Sequence, residues 1–165
     1  MARWAQPDPA LYLANFPTLV KGMAGNAFAN GTAHVAADYS GAAIWLQPGD
    51  HPDEEALVEM VERTAPEAIK KDLFGVFEEM GKRHPTEPHW YLPLIGVDPT
   101  HQGNGTGSAL MKHALEACDR DGLIAYLESS NPRNISLYER HGFEMVGEIQ
   151  VGSSPVVRPM LRQPR

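Results

Sequence analysis

The first part of the chain carries apolar residues at two different spacings. Apolar positions recur at helical spacing after Asp8-Pro9, a pair that favours a helix start, and the pattern predicts one helix ending near Gly31. The segments Thr32–Asp38 and Ala42–Leu46 have strand character instead. Ser40-Gly41 supplies turn residues between them, so the two strands are expected to pair as a hairpin.

The middle of the chain passes from helical to strand patterning. Acidic residues at positions 53–55 predict the first turn of one amphipathic helix, and Pro66 separates it from a second. Trp90–Val97 and Leu123–Leu127 are apolar runs of strand length, and between them lies an amphipathic helix that ends at Gly122. This β-turn-α-β order indicates the α/β (α+β) class of fold.

A short helix and a last pair of strands are predicted towards the end of the chain. Asn131 is a favourable N-cap, Pro132 suits the first helical position and Gly142 supplies a C-terminal stop. Val146–Val151 and Val156–Leu161 have strand character, and Gly and Pro residues lie between them. We expect these two segments to pair.

Composition limits the possible partners more than it indicates a function. The 165 residues suit one domain, which we expect to span residues 1–165. A net charge of -7 opposes phosphate backbones, so nucleic acid is not an expected partner. An acidic surface suits a cationic amine substrate, although surplus carboxylates also serve solubility alone.

The sequence also bears on cellular location. Cys118 is the only cysteine, which excludes an intrachain disulfide and gives no sign of an oxidising compartment. No apolar run approaches the roughly 18 residues of a membrane span, and no signal segment is recognisable at Met1. We therefore expect a cytoplasmic protein with no membrane partner. No spacing among the seven histidines suggests a metal site, so no metal is expected.

A glycine-rich turn precedes the amphipathic helix that follows Trp90–Val97. Its sequence, Gln102-Gly-Asn-Gly-Thr-Gly107, places exposed backbone N–H groups at the positive end of the helix dipole, which favours an anion such as a pyrophosphate. A P-loop would require Lys and then Ser or Thr after the last glycine, and Ser108 and Ala109 stand there instead. The G-x-G-x-x-G spacing of dinucleotide-binding proteins is not met either.

Two segments together resemble the GNAT acetyltransferase superfamily. Gln102, Gly105 and Gly107 match the pattern Q/R-x-x-G-x-G/A. Further along, Asn131–Phe143 is similar to a second motif of the superfamily, N-x-x-x-x-x-L-Y-x-x-x-G-F. The resemblance extends over His89–Gly147 and implies a mixed central sheet flanked by helices. GNAT domains usually open with a strand, whereas this chain enters a helix near its start, so the first strand is expected to be missing or truncated.

The resemblance implies acetyl-CoA as cosubstrate, with its pantetheine arm between the two strands and its pyrophosphate on the glycine turn. The implied cofactor-binding residues are Ile95, Gly96, Val97, Gln102, Gly103, Asn104, Gly105, Thr106, Gly107, Ser108, Asn131, Asn134 and Tyr138. The implied reaction transfers acetyl to an amine by direct attack in a ternary complex. The acceptor would be a small-molecule amine or a peptide, and a homodimer could cover the sheet edge that the missing strand leaves exposed.

Three residues are candidates for the chemistry. The resemblance implies that Tyr138 protonates the departing CoA thiolate. The pKa of a phenol, about 10, lies above that of a thiol, about 8.5, so partial donation from Tyr138 would be enough to help. Glu128, which we slightly favour, or His89 would take the proton of the amine. Each side chain also admits a purely structural role. Two other functions stay open from the residues alone, namely an acyl-CoA-binding module without turnover and a different nucleotide-phosphate binder.

Overall fold

A computed structural model describes residues 1–165 and shows one six-stranded mixed sheet with helices on both faces. The strand order is β1-β2-β3-β4-β6-β5, in which only the β3–β4 pair is parallel. This architecture confirms the predicted fold class. The strands are β1 (Ala33–Val35), β2 (Gly41–Leu46), β3 (His89–Val97), β4 (Ile124–Ser129), β5 (Glu144–Met145) and β6 (Arg158–Arg162).

Seven α-helices surround this sheet, and none is long and apolar enough to cross a membrane. Short 3-10 turns at Pro99–His101 and Pro132–Asn134 lead towards the last two helices. The helices are α1 (Ala2–Ala5), α2 (Pro9–Ala24), α3 (Ala27–Asn30), α4 (Glu54–Thr64), α5 (Glu67–Arg83), α6 (Thr106–Asp121) and α7 (Ile135–Arg140).

The predicted first helix is broken into two. The Asp8 side chain accepts a hydrogen bond from the Leu11 N–H and caps α2, as the sequence indicated. The helix ends at Ala24 and does not continue to Gly31, because Gly25 adopts a φ of 48°, which is not helical. A Cβ at Gly25 would collide with the backbone oxygen of His51, so this close approach of two backbones requires glycine. The short α3 then ends at Gly31, also in a left-handed conformation.

The residues before β1 form only helices, which agrees with the expected absence of the usual first GNAT strand. β1 is consequently an edge strand, paired with β2 alone. The predicted hairpin is confirmed, although β1 covers only part of Thr32–Asp38 and Gly41 already belongs to β2.

The predicted strand pair at the end of the chain is partly wrong. Within Val146–Val151 only Ile149 forms a bridge, with Val157, and the regular strand β6 begins later. The residues between Ile149 and β6 contact α5 instead. There the Asp72 carboxylate accepts hydrogen bonds from the N–H and the hydroxyl of Ser153. A polar anchor on a helix therefore overrides the strand propensity of this segment.

The two faces of the sheet carry separate apolar cores. α6 packs on one face, where Trp90 and Leu92 of β3 point into the larger cluster. The opposite face buries Tyr91 and Tyr126 against α2 and α3. Successive β3 residues thus serve different cores, as strand alternation requires.

Candidate active site

The strands β3 and β4 separate halfway along their length. They pair from His89 opposite Ile124 to Leu92 opposite Leu127, and then diverge. At the same point β3 contains one residue more than the facing segment of β2. Tyr91 lies opposite Leu46, whereas Leu94, three residues further along β3, lies opposite Ile44, only two residues away along β2. This bulge includes Pro93, which has no N–H to donate to β4. The separation opens a narrow gap of about 140 Å³.

Backbone groups of β3 face this gap at alternate residues. The Asp98 N–H donates to the Ser40 oxygen, which identifies the hydrogen-bonded pairs of the antiparallel β2–β3 ladder. By alternation Leu94 and Gly96 pair with β2, whereas the backbone groups of Ile95 and Val97 point towards the gap. Ile95 thus offers its N–H and its carbonyl oxygen to a ligand there, whereas Val97 offers only its N–H, because its oxygen accepts from Gln102, and Gly96 does not offer its backbone.

The turn before α6 presents a row of unpaired amides. Gly103 and Gly105 adopt φ angles of 82° and 89°, a region that favours glycine. No side chain caps α6, and no acceptor within the chain receives a hydrogen bond from the N–H groups of residues 103–108. No atom lies within 4 Å of the Cβ position at either glycine. An anion can therefore approach this backbone closely.

Neighbouring side chains hold the turn in place. The Gln102 amide donates to the Val97 oxygen over 3.0 Å and ties the turn to the end of β3. The Ser108 hydroxyl lies 2.8 Å from Nε2 of His141, just beyond α7. A Cβ at Gly107 would lie 3.4 Å from the Leu137 side chain, so α6 and α7 pack closely here.

The second motif lines the gap itself. Asn131 caps the 3-10 turn by accepting from the Arg133 N–H, and Asn134 ends that turn. Both asparagines and Tyr138 border the gap. Tyr138 is only 5% exposed, and burial raises the pKa of its phenol, an effect that the Asn134 side chain opposes in part. The phenol therefore remains a protonated donor at neutral pH.

Glu128 borders the gap from β4 and contacts a histidine pair behind it. Its side chain is 3% exposed, and one carboxylate oxygen lies 3.6 Å from Nδ1 of His84. Nε2 of His84 lies 2.9 Å from Nε2 of His89, whose Nδ1 lies 2.7 Å from the Glu87 oxygen. Burial lowers the pKa of His89, which favours the neutral imidazole.

Two buried tyrosines complete the surroundings of Glu128. Burial and the nearby Glu128 carboxylate both raise the pKa of Tyr91 and of Tyr126. The Tyr126 hydroxyl is buried close to the Glu128 carboxylate. The ring of His84 packs edge-on against both tyrosines, at centroid distances of 4.8 and 5.0 Å.

The predicted site residues thus fall into three groups. Ile95, Asn131, Asn134, Tyr138 and Glu128 border the gap, whereas His89 lies behind Glu128 and not on the gap. The turn residues adjoin the end of β3. Asn104, Gly105 and Thr106 also border a more open hollow of about 650 Å³ beside β1.

Sequence reasoning missed two contacts. The sequence patterns assign no role to His84, and His141 lies within the second motif without a role of its own. No pattern along the chain links either histidine to its partner, since His84 and Glu128 lie on different elements, as do Ser108 and His141. No group of three or more His, Cys, Asp or Glu residues is arranged to hold a metal ion.

Comparison with known proteins places this arrangement in a family. The profile described as the acetyltransferase (GNAT) family matches residues 50–143, more than half of the chain. An uncharacterised N-acetyltransferase of Schizosaccharomyces pombe is 29% identical over 64% of this chain and 48% of its own length. A mycothiol acetyltransferase of Saccharomonospora viridis is 36% identical over 39% of this chain and 24% of its own length. The chain therefore spans about half the length of these relatives, or less.

A solved structure extends the likeness to the whole fold. The crystal structure of a protein described as histone acetyltransferase HPA2 and related acetyltransferase, from Corynebacterium glutamicum, has a TM-score of 0.64 and is 25% identical. The likeness covers 99% of this chain and 81% of that protein. The split strands, the glycine turn and the family match agree, and this chain belongs to the GNAT acetyltransferase family.

Proposed function

We propose that this protein transfers an acetyl group from acetyl-CoA to an amine by direct attack in a ternary complex. The observation that carries the proposal is the gap between β3 and β4, which Tyr138 and Glu128 border and which lies beside a turn of unpaired amides. This combination provides a channel for an extended thiol arm, donors for its phosphates and two groups for proton transfer.

The residues present fit acyl-CoA. The free N–H groups of residues 103–108 can donate to the pyrophosphate, and the absence of side chains at Gly103 and Gly105 leaves room for it. The backbone groups of Ile95 and Val97 can pair with the amides of the pantetheine arm as an added strand would. Asn131 and Asn134 border the same gap and offer side-chain amides to the ligand.

The reaction itself requires stabilisation of charge at two atoms. Attack of the amine nitrogen on the thioester carbon forms a tetrahedral oxyanion, which a backbone N–H of β3 near Val97 can stabilise. The attack forms the carbon–nitrogen bond, and collapse of the intermediate restores the carbonyl group and breaks the carbon–sulfur bond. Burial keeps Tyr138 protonated, so that it can give its phenolic proton to the departing thiolate, and the extra proton that the nitrogen carries after the attack returns Tyr138 to the phenol.

The proton of the incoming ammonium group goes to Glu128 in this proposal. Glu128 borders the gap, whereas His89 reaches it only through His84 and Glu128. A general base must lie within hydrogen-bond reach of the proton that it removes, directly or through one water. Position therefore favours Glu128 over His89 as the base. The acceptor is proposed to be a small-molecule amine or a peptide.

Release of CoA thiol from acetyl-CoA, measured with a panel of amines, tests the proposal. Tyr138→Phe should slow turnover about tenfold or more, because the thiolate loses its proton donor. Tyr39→Phe serves as the matched control, since Tyr39 is 85% exposed and should leave the rate unchanged. Burial raises the pKa of Cys118 to about 12, so the protein's own thiol should add no background.

The outcomes separate the two open alternatives. Binding of acetyl-CoA without thiol release for any amine would indicate a non-catalytic acyl-CoA-binding module. Thermal shift with acetyl-CoA, ATP and NAD tests the ligand, because a ligand at 100 times its Kd adds about 2.7 kcal/mol of stability. Stabilisation by ATP alone would contradict the proposed function.

A further inference from the structure

Next to the gap, the side chains of Glu128, His84 and His89 form a row of contacts that extends from the buried carboxylate to the protein surface. Glu128 belongs to β4, His84 follows the last residue of α5, and His89 begins β3. The carboxylate is almost fully buried, with a side-chain exposure of 3%, whereas the His84 side chain is 27% exposed. A proton removed from a substrate by Glu128 therefore has no direct contact with bulk water but lies beside a group that does.

The hydrogen-bond pattern assigns the protons on both imidazoles. Nδ1 of His89 faces the Glu87 carbonyl oxygen, which only accepts, so this nitrogen carries a hydrogen. Nε2 of neutral His89 is then an acceptor, and the facing Nε2 of His84 must donate to it. Neutral His84 consequently has its free lone pair on Nδ1, the nitrogen that faces Glu128.

We propose that His84 accepts at Nδ1 the proton that Glu128 takes from the substrate, and releases it to solvent. This inference rests on the proposed function and adds a residue to it. The ammonium group gives one proton to the carboxylate and becomes the attacking amine. The protonated Glu128 passes that proton to Nδ1 of His84, which lies 3.6 Å away and is reached by a small approach of the two side chains or through one water. This step regenerates the carboxylate and leaves an imidazolium. The Nε2 hydrogen of the imidazolium stays on its contact with His89, so the imidazolium loses the Nδ1 proton to water and the cycle returns to the starting tautomer of neutral His84.

His89 is a positioning residue in this arrangement. The Glu87 oxygen fixes the His89 tautomer, which in turn keeps the hydrogen of neutral His84 on Nε2 and the lone pair on Nδ1. The rings of Tyr91 and Tyr126 restrict the orientation of His84 from the sheet side. Two other charged or titratable side chains lie close to the cluster of Glu128, His84 and His89. They are Arg83 of α5, near Tyr126, and His51, near His89.

The first experiment compares kcat, KM and their pH dependence in the parent, His84→Gln and the control His113→Gln, an exposed histidine of α6. We expect His84→Gln to lower kcat about tenfold or more at pH 7, with KM for acetyl-CoA within about twofold. Added imidazole should restore part of the rate, which a purely structural role would not allow. Unchanged kcat and pH profile in His84→Gln would overturn the proposal.

A double-mutant cycle with Glu128→Gln tests whether His84 acts through Glu128. In the Glu128→Gln background, the further change His84→Gln should alter kcat by less than about twofold, because the proton no longer passes along this route. Losses that multiply independently would contradict the proposed order. If His84→Gln does not fold, His84→Asn keeps a nitrogen donor closer to the backbone and enters the same cycle.

One measurement keeps this inference apart from the proposed function. In 15N spectra of histidine-labelled protein without substrate, the Nδ1 signal of His84 should shift in Glu128→Gln, and the signals of His113 should not. Absence of thiol release with an intact His84 response would reject the proposed function while keeping the Glu128–His84 contact. Normal thiol release with no His84 response would reject the relay alone.

Discussion

The two regions that the proposed reaction needs are built from different chemical groups. The turn at residues 102–108 offers backbone N–H groups, which carry no titratable proton near neutral pH. The cluster of Glu128, His84 and His89 consists of a carboxyl group and two imidazoles, which can take up and release protons, and burial lowers the pKa of His89. Cofactor binding and proton transfer should therefore respond to different perturbations, the first to backbone geometry and the second to pH.

The largest effect is expected at the ion pair of the buried Arg162 with the half-buried Asp119, which is linked to the turn through His141 and Ser108. Arg162 donates to both carboxylate oxygens of Asp119, at 2.7 and 2.9 Å, and to the His141 oxygen. Asp119→Ala leaves the guanidinium, which is 4% exposed, without its counter-charge, and should lower the free energy of unfolding by about 3–5 kcal/mol. Denaturant unfolding measures this loss.

Glu116→Ala is the control for Asp119→Ala, because Glu116 is exposed on the same helix and should change stability by no more than about 0.5 kcal/mol. Since Asp119 supports the region of His141 and not the cluster of Glu128, the pH profile of turnover should stay that of the parent. A displaced profile in Asp119→Ala would show that the two regions are coupled.

The next effect concerns the geometry of the turn. Gly105→Ala places a side chain at a φ of 89°, which costs about 1–2 kcal/mol. No atom lies near the added Cβ, so the cost comes from the backbone conformation alone. If the turn relaxes to avoid it, the amides lose their alignment and the Kd for acetyl-CoA should rise about tenfold.

Gly81→Ala provides the matched comparison for Gly105→Ala. Gly81 lies within α5, and its added Cβ also meets open space. Alanine is the better helix former there, so this variant should gain about 0.5–1 kcal/mol of stability with an unchanged Kd. Equal affinities for all three proteins by calorimetry would show that the turn does not bind the cofactor.

The same difference explains which parts of the site the sequence could predict. The turn, its preceding strand and its following helix are continuous along the chain, so glycine spacing and apolar periodicity located them. The cluster brings together residues from three elements, and only tertiary packing places His84 beside Glu128. Residues such as Gly25 and Asp72 altered predicted elements for the same reason, because each contacts a segment far along the chain.

A difference in pH response is expected between binding and turnover. Because the amides of the turn do not titrate, the Kd for acetyl-CoA should change less than about threefold between pH 7 and 9. Burial raises the pKa of Tyr138, so loss of its proton should not lower kcat below about pH 10. Calorimetry and steady-state rates over this range measure the two quantities. An alkaline fall in kcat near pH 8 would contradict the assignment of Tyr138 as proton donor.

The smallest effect is on acid stability, and it isolates the cluster without reference to turnover. Burial lowers the pKa of His89 below its ordinary value of 6.5, so the unfolded chain binds a proton more readily than the folded one. With respect to His89, the free energy of unfolding is therefore highest above about pH 6.5, and it decreases as the pH falls below that value.

His89→Gln should reduce the stability difference between pH 7 and pH 5 by about 1 kcal/mol or less. Lys112→Gln, at an exposed lysine of α6, serves as the control and should leave that difference unchanged. If His89→Gln leaves this difference unaltered, His89 takes up a proton as easily in the folded protein as in the unfolded chain. His89 could then not be assigned as neutral, and the proton positions on His84 would no longer follow from it.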